Sequence, residues 1–282
     1  MAKNLTVDDI RLWKTRSRKK LMMVTAYDAL DARFAAQDGM DILLVGDSLG
    51  TVKLGLSDVK DVTPEMMAYH TEAVRRGAPK FFVSTDVPYL SMIKDDEGLI
   101  ADCKRYMSAG ADSVKIESDF NGVRRIKAVI KAGIPVIGHL GYTPQTADTI
   151  GVSTVQGRSA DKAIILLKTA DALEEAGCVC LLCELIPGRV GEAIAQRSKT
   201  PVIGIGAGPY VDGQVLVLHD IAGLSGLEFK FSKVFSDAGK PLSDAVKRYI
   251  LAVQSGEFPS ETNTFLMKNE ELRDLKRKIE EI

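Results

Sequence analysis

Residues 35–47 read AAQDGMDILLVGD. A helical polar–apolar pattern stops at Gly39, and an apolar run, DILLVGD (41–47), starts two residues later and ends on a charge. Glycine suits the residue after a helix because it adopts the left-handed conformation without a Cβ clash. A continuous apolar run, unlike strict alternation, marks a strand buried on both faces, as in a parallel sheet. The same unit recurs along the chain. Helical patterns stop at Gly77 (AVRRG), Gly110 (YMSAG), Gly133 (VIKAG) and Gly177 (LEEAG). The strands KFFVSTD (80–86), DSVKIE (112–117), IPVIGH (134–139) and VCLLCE (179–184) follow them. LMMVTA (21–26) precedes the series and PVIGIG (201–206) extends it. The stops lie on average about 35 residues apart, the length of one strand–helix unit.

Helix starts agree with this reading. Thr63-Pro64-Glu65 supplies an N-cap, a proline at the first helical position and an acidic first turn. Ser159 and Asp95 are similar cap candidates. Seven or eight strands alternating with helices predict an α/β chain folded as a single-domain (β/α)8 TIM barrel, with a doubly wound open sheet as the alternative. The weakest element is strand 8, for which LEFKF (227–231) is the candidate. The expected organisation is an N-terminal capping segment (1–20), a barrel (21–255) and a charged C-terminal helical tail (256–282). Within the first, TVDDIRLWK (6–14) reads as a short helix; within the last, Leu272, Leu275, Ile279 and Ile282 have helical spacing.

The chain has 282 residues, with 37 Lys and Arg against 38 Asp and Glu. A formal charge of −1 argues against a nucleic-acid partner, which requires a basic excess. Charged residues are 27% and the apolar set 45%, which argues against disorder. The polar stretch 1–20, with Lys14, Arg16, Arg18, Lys19 and Lys20, lacks the apolar core of a signal peptide, and no run reaches membrane-spanning length. Three of the four cysteines (103, 178, 180, 183) crowd into one strand without zinc-ligand spacing. Alternation would point Cys178 and Cys180 to one face and Cys183 to the other. Free thiols in a reducing cytoplasm are the expectation.

Strand ends carry the chemistry. In order they are Asp47, Asp86, Glu117, His139 and Glu184. In a barrel, strand C-termini open onto the active-site face. A single such carboxylate commonly caps the next helix; five ionisable ends in succession point to a site. Two carboxylates 4 Å apart repel by about 4 kcal/mol at an effective dielectric of 20. Protons or a cation must offset that, and oxygen ligands favour Mg²⁺, Mn²⁺ or Ca²⁺. Lys115 lies two residues before Glu117, on the same side of its strand. It either meets an anionic substrate or snorkels from a frayed end. His139 either donates to a substrate oxygen or is a satisfied core histidine. GIGAG (204–208) lacks the next glycine of a dinucleotide fingerprint. It holds a phosphate or makes a tight turn. His70 reads as a helix-surface residue, and His219 has no clear role.

VTAYDALDARFA, LLVGDSLG, MAYHTEAVRRGAP, STDVPY, SVKIE, VIGHLGYTPQ and IGIGAGPYVDGQVLVLHD, in this order and spacing, resemble the ketopantoate hydroxymethyltransferase (3-methyl-2-oxobutanoate hydroxymethyltransferase) family. The resemblance covers about residues 20–255. It implies a (β/α)8 barrel that moves a one-carbon unit from 5,10-methylenetetrahydrofolate to 2-oxoisovalerate, giving 2-dehydropantoate on the way to pantothenate and coenzyme A. It implies Mg²⁺ on Asp47 and Asp86, with Glu117 acting through water. Ser48, Lys115 and His139 are then oxo-acid contacts, together with Asp47 and Asp86, and Glu184 is the base. Family members are typically homodecamers, and the implied partners are the small oxo acid and folate; the cytoplasm is the expected compartment, with no nucleic-acid or membrane partner expected. The chain departs from the family pattern at TVKLGLSDVKDVTPEMM (51–67), at Ser118 after KIE, at Glu184-Leu185-Ile186-Pro187 and between 225 and 247; the expected base is kept. The competing readings are a Mg²⁺-dependent enolate-forming lyase of the phosphoenolpyruvate mutase and isocitrate lyase type, and a non-catalytic barrel.

Overall fold

The computed structural model describes residues 4–17, 19–146 and 155–282, so Arg18 lies outside the described residues. Among these residues, eight parallel strands form one closed barrel in sequence order. They are β1 (Leu21–Thr25), β2 (Ile42–Val45), β3 (Phe82–Asp86), β4 (Ser113–Glu117), β5 (Val136–Gly141), β6 (Cys180–Glu184), β7 (Val202–Ile205) and β8 (Gly213–Leu216). β8 pairs with β1 through Leu21–Gly213 and Val24–Leu216, which closes the ring. The open-sheet alternative is excluded. LEFKF (227–231) is not a strand; the eighth strand is the short GQVL segment, joined to β7 by a loop with no helix.

Two short helices, α1 (Val7–Arg11) and α2 (Trp13–Arg16), precede the barrel. Thr6 and Asp9 make a reciprocal capping box on α1. Ile10 is fully buried and packs with Leu21, Met23, Ile42 and Phe82 in the barrel interior. The segment therefore plugs the N-terminal end of the barrel, opposite the strand ends that carry the charges. Helices α3 (Ala29–Ala35), α4 (Leu49–Val52), α5 (Pro64–Gly77), α6 (Tyr89–Met92) and α7 (Asp96–Ser108) follow. The remaining barrel helices are α8 (Val123–Lys131), α9 (Ala160–Ala176), α10 (Gly188–Arg197) and α11 (Leu218–Ile221). Thr63, Asp95 and Ser159 cap α5, α7 and α9 through their side chains, as their positions predict.

Gly39, Gly110, Gly133 and Gly177 have positive φ, the helix-stop conformation. Gly77 differs. It is the last residue of α5, and an added Cβ would lie 2.4 Å from the Ala29 carbonyl oxygen. Close helix–helix approach, not a left-handed turn, requires this glycine.

Alternation sorts the strand residues. Val24, Leu43, Val83, Val114, Val136 and Leu181 face the helices, whereas Met23, Leu44, Phe82, Ile137, Leu182 and Ile203 fill the barrel. All four cysteines are free and buried. Cys178 lies before β6 and packs outward with Cys183, while only Cys180 faces inward, so the expected pairing of Cys178 with Cys180 does not hold.

The chain divides into two compact units after Phe235, twenty residues earlier than the 255 boundary expected from sequence. The second unit, Ser236–Ile282, contains α12 (Gly239–Gln254) and α13 (Asn269–Glu280), neither of which has a buried residue. No described helix is long and apolar enough to cross a membrane.

Candidate active site

Inward-facing parity places the charged strand ends together. Asp86 is the last residue of β3 and pairs in register with Lys115 of β4; Glu117 pairs with His139 of β5; Gly141 pairs with Glu184 of β6. Asp47 follows β2 by two residues and Ser48 comes next. Asp47, Ser48, Asp86, Lys115, Glu117, His139 and Glu184 all line one cavity of about 500 Å³. That size suits a small-molecule site. Every side chain expected at the site is there.

Contacts inside it are close. Lys115 Nζ is 3.0 Å from Asp86 Oδ1 and 3.3 Å from His139 Nδ1. Lys115 is 6% exposed, so it is a buried, paired ammonium and does not snorkel to solvent. Asp86 Oδ2 accepts from the Asp47 backbone N–H at 3.1 Å. Asp86 Oδ1 has no hydrogen-bond donor in good geometry, so its charge is balanced by the ammonium alone. His139 Nε2 lies 3.3 Å from Glu184 Oε2 but outside hydrogen-bond geometry. Because Lys115 can only donate, His139 Nδ1 is the acceptor and the ring proton sits on Nε2, facing Glu184.

Burial shapes the charges. It pushes Asp86 up to about 7, against the pull of Lys115 and with the help of Asp47. Glu117 is raised well above the carboxylate range by burial and by Asp47. Glu184 rises to about 7 through burial. His139 is held well below its usual value by burial and by Lys115, so the ring is neutral. Lys115 is desolvated, yet Asp86, Asp47 and Glu117 outweigh that effect and hold its ammonium above the usual lysine range.

Three further residues stand beside these. Gln145 Nε2 donates to Asp47 Oδ2 at 2.8 Å and to the Val87 carbonyl at 2.9 Å, while its backbone N–H donates to Glu117 Oε2 at 3.1 Å. It orients two of the carboxylates at once. Tyr27 Oη lies 2.8 Å from Ser48 Oγ, and its ring stacks on His219 at 5.3 Å. Asp220, on α11, lines the same cavity. The sequence presents all three inside distinctive stretches (AYD, YTPQ, LHD), but none ends an apolar strand run, the signal that picks out the others. His70 is half-buried and bonds through Nδ1 to the Tyr27 carbonyl, tying α5 to the β1–α3 loop. The GIGAG loop makes a tight turn: a Cβ on Gly208 would lie 2.7 Å from Gly188 Cα.

The sequence profile of the ketopantoate hydroxymethyltransferase family matches residues 4–261. The chain belongs to this family. It is 43% identical over 262 residues to the 3-methyl-2-oxobutanoate hydroxymethyltransferase of Thermus thermophilus, covering 92% of this chain and 99% of that one. It is 44% identical over 253 residues to the enzyme of the same name from Geobacillus kaustophilus, covering 89% and 91%. Among solved structures, a phosphonopyruvate hydrolase aligns over 99% of this chain and 96% of its own at a TM-score of 0.60 and 14% identity. A 2,3-dimethylmalate lyase aligns over 99% and 100% at 0.57 and 16%. These two share the barrel; the ketopantoate hydroxymethyltransferases share the sequence.

Proposed function

We propose that the chain transfers a one-carbon unit from 5,10-methylenetetrahydrofolate to C3 of 2-oxoisovalerate, giving 2-dehydropantoate for pantothenate and coenzyme A synthesis in the cytoplasm. In the overall balance, C3 loses a proton, the donor loses its methylene bridge, and water supplies the hydroxyl oxygen and restores tetrahydrofolate. The observation that carries this reading is the convergence of Asp47, Asp86, Lys115, Glu117, His139 and Glu184 on one cavity in a chain of this family.

The donor set fits a divalent ion. Four carboxyl groups meet one ammonium, and Asp86 Oδ1 accepts no hydrogen bond. Among the described residues no three acidic, histidine or cysteine side chains close into a cage. Mg²⁺ needs no such cage: it typically takes one or two carboxylates and fills its other positions with water and substrate oxygens. Asp47 and Asp86 would hold it, with Glu117 behind. When bound, Mg²⁺ would polarise the ketone of the oxo acid and so acidify C3.

The chain's own groups do the rest. Lys115 and the Nε2 proton of His139 supply positive charge and a donor to the oxygens of the oxo acid, and Ser48, aligned by Tyr27, adds a hydroxyl. Glu184, on β6 and apart from Asp47 and Asp86, takes the C3 proton. Its raised pKa brings its basicity closer to neutral pH. Leu44, Leu182 and Val215 line the apolar wall that would receive the isopropyl group. Family resemblance and the exposed apolar face of α12 support a homo-oligomer, a decamer in the family.

Deuterium exchange at C3 of 2-oxoisovalerate, followed by proton NMR in D₂O without folate, tests metal, base and substrate together. Exchange should require Mg²⁺ and stop with a chelator. Addition of methylenetetrahydrofolate should then yield dehydropantoate. Folded protein that neither exchanges nor forms product would overturn the reading, and cleavage of a 2-methylisocitrate-like acid would favour the lyase.

A further inference from the structure

One carboxylate in the cavity has no part in the chemistry above. Asp220 is 5% exposed, and its Oδ1 accepts no hydrogen bond among the described residues. α11, which carries it, follows β8, across the closed barrel from Lys115 and Glu117 of β4. Its position is fixed: Leu218 N–H donates to Thr25 Oγ1 at 3.0 Å, the Phe235 N–H donates to the Ile221 carbonyl at 2.8 Å, and the neighbouring His219 stacks under Tyr27. Among the lining residues of the stretch 216–231, Asp220 is the one polar side chain, beside Leu216, Val217, Leu227, Phe229 and Phe231, while Tyr27 and His219 lie near enough to feel its charge. Phe229 and Phe231 stack with ring centroids 5.2 Å apart, and Phe229 is part-exposed at the rim.

A buried carboxylate oxygen with no donor is a standing cost that a ligand can remove. A hydrated metal ion does not fit, because the lining stretch 216–231 offers it a single carboxylate among hydrocarbon. A flexible ammonium would gain nothing from the flat aromatic rim. The fitting ligand is a flat, largely apolar ring with two adjacent N–H donors, which meet a carboxylate side by side. A five-carbon oxo acid on the opposite wall leaves most of the 500 Å³ for such a ring.

Resting on the oxo-acid reading above, we propose that Asp220 anchors the aminopyrimidinone edge of the pterin of the one-carbon donor, with the ring lying along Phe229 and Phe231. This orientation aims the rest of the donor across the cavity toward Glu184 and the oxo acid.

The test is calorimetric binding of tetrahydrofolate to the full chain, paired with donor KM. Asp220→Asn should weaken tetrahydrofolate binding and raise donor KM at least tenfold. Folate-independent C3 exchange should stay within a few-fold of the parent. The 2-desamino analogue of tetrahydrofolate should bind the unaltered protein at least tenfold more weakly than tetrahydrofolate, and Asp220→Asn should no longer distinguish the two. Equal affinity of the unaltered protein for both ligands overturns the proposal even if the variant does not fold. So does an Asp220→Asn protein that keeps donor affinity, or one whose exchange falls in step with turnover, which would place Asp220 on the oxo acid. Absence of exchange in the unaltered protein would remove the oxo-acid reading, yet the ligand pair would still read the pterin contact.

Discussion

Glu184 closes β6 on the inward face, with His139 Nε2 at 3.3 Å and, among the described residues, no ammonium within pairing distance. Burial raises it to about 7, so near pH 5 its carboxyl is mostly protonated and cannot accept the C3 proton. The sign is that of an acid whose charged form is penalised by burial: the competent base accumulates as pH rises. C3 exchange by the intact protein should therefore climb with pH and level off above about 7. Glu184→Gln has no proton-accepting form, and its exchange should fall by roughly 10²–10⁴-fold, the usual worth of a positioned base. Oxo-acid affinity, measured by calorimetry, should change little. Exchange at the parental rate in the glutamine variant would remove Glu184 as the base. Residues of this kind were legible in sequence because each ends an apolar run. Gln145 and Tyr27 were not, because they act through hydrogen bonds to Asp47 and Ser48 across sequence gaps that no local pattern reports.

At the scale of elements, the strands with long apolar runs and the caps at Thr63, Asp95 and Ser159 are read correctly from local chemistry. β8 is not, for a physical reason. It has four residues, one of them Gly213 and one Gln214, so only Val215 and Leu216 of the apolar run 215–218 fall within the strand. What sets its place is backbone proximity: a Cβ on Gly213 would lie 2.3 Å from the Leu21 carbonyl oxygen at the β8–β1 seam. Only glycine lets the last strand approach the first closely enough. Gly77 shows the same thing at the α3–α5 contact, where a sequence rule names the right residue for the wrong cause. Gly213→Ala forces backbone apart at the seam. The expected cost is about 1–3 kcal/mol, a fall in Tm of roughly 2–10 °C in calorimetry. An unchanged Tm would mean that the seam opens without resistance.

At the scale of the molecule, α12 falls in the second compact unit although it carries the amphipathic pattern of a barrel helix. Such a pattern says that one face is to be covered and is silent about what covers it. On α12 the stripe is Leu242, Val246, Tyr249, Ile250 and Val253, and all five side chains are exposed. A contiguous exposed apolar stripe of this length marks an interaction surface. A second copy of the chain is the partner in the oligomer proposed above. Light scattering of the intact protein should therefore give a mass that is a multiple of the chain mass. Val246→Asp combined with Tyr249→Asp puts two carboxylates into that stripe, and desolvating them on association is unfavourable. The doubly substituted protein should lose mass while its far-ultraviolet circular dichroism is retained, because neither side chain is buried within its own chain. A monomeric mass for the intact protein would end the oligomer proposal. An unchanged mass in the variant would move the interface off α12.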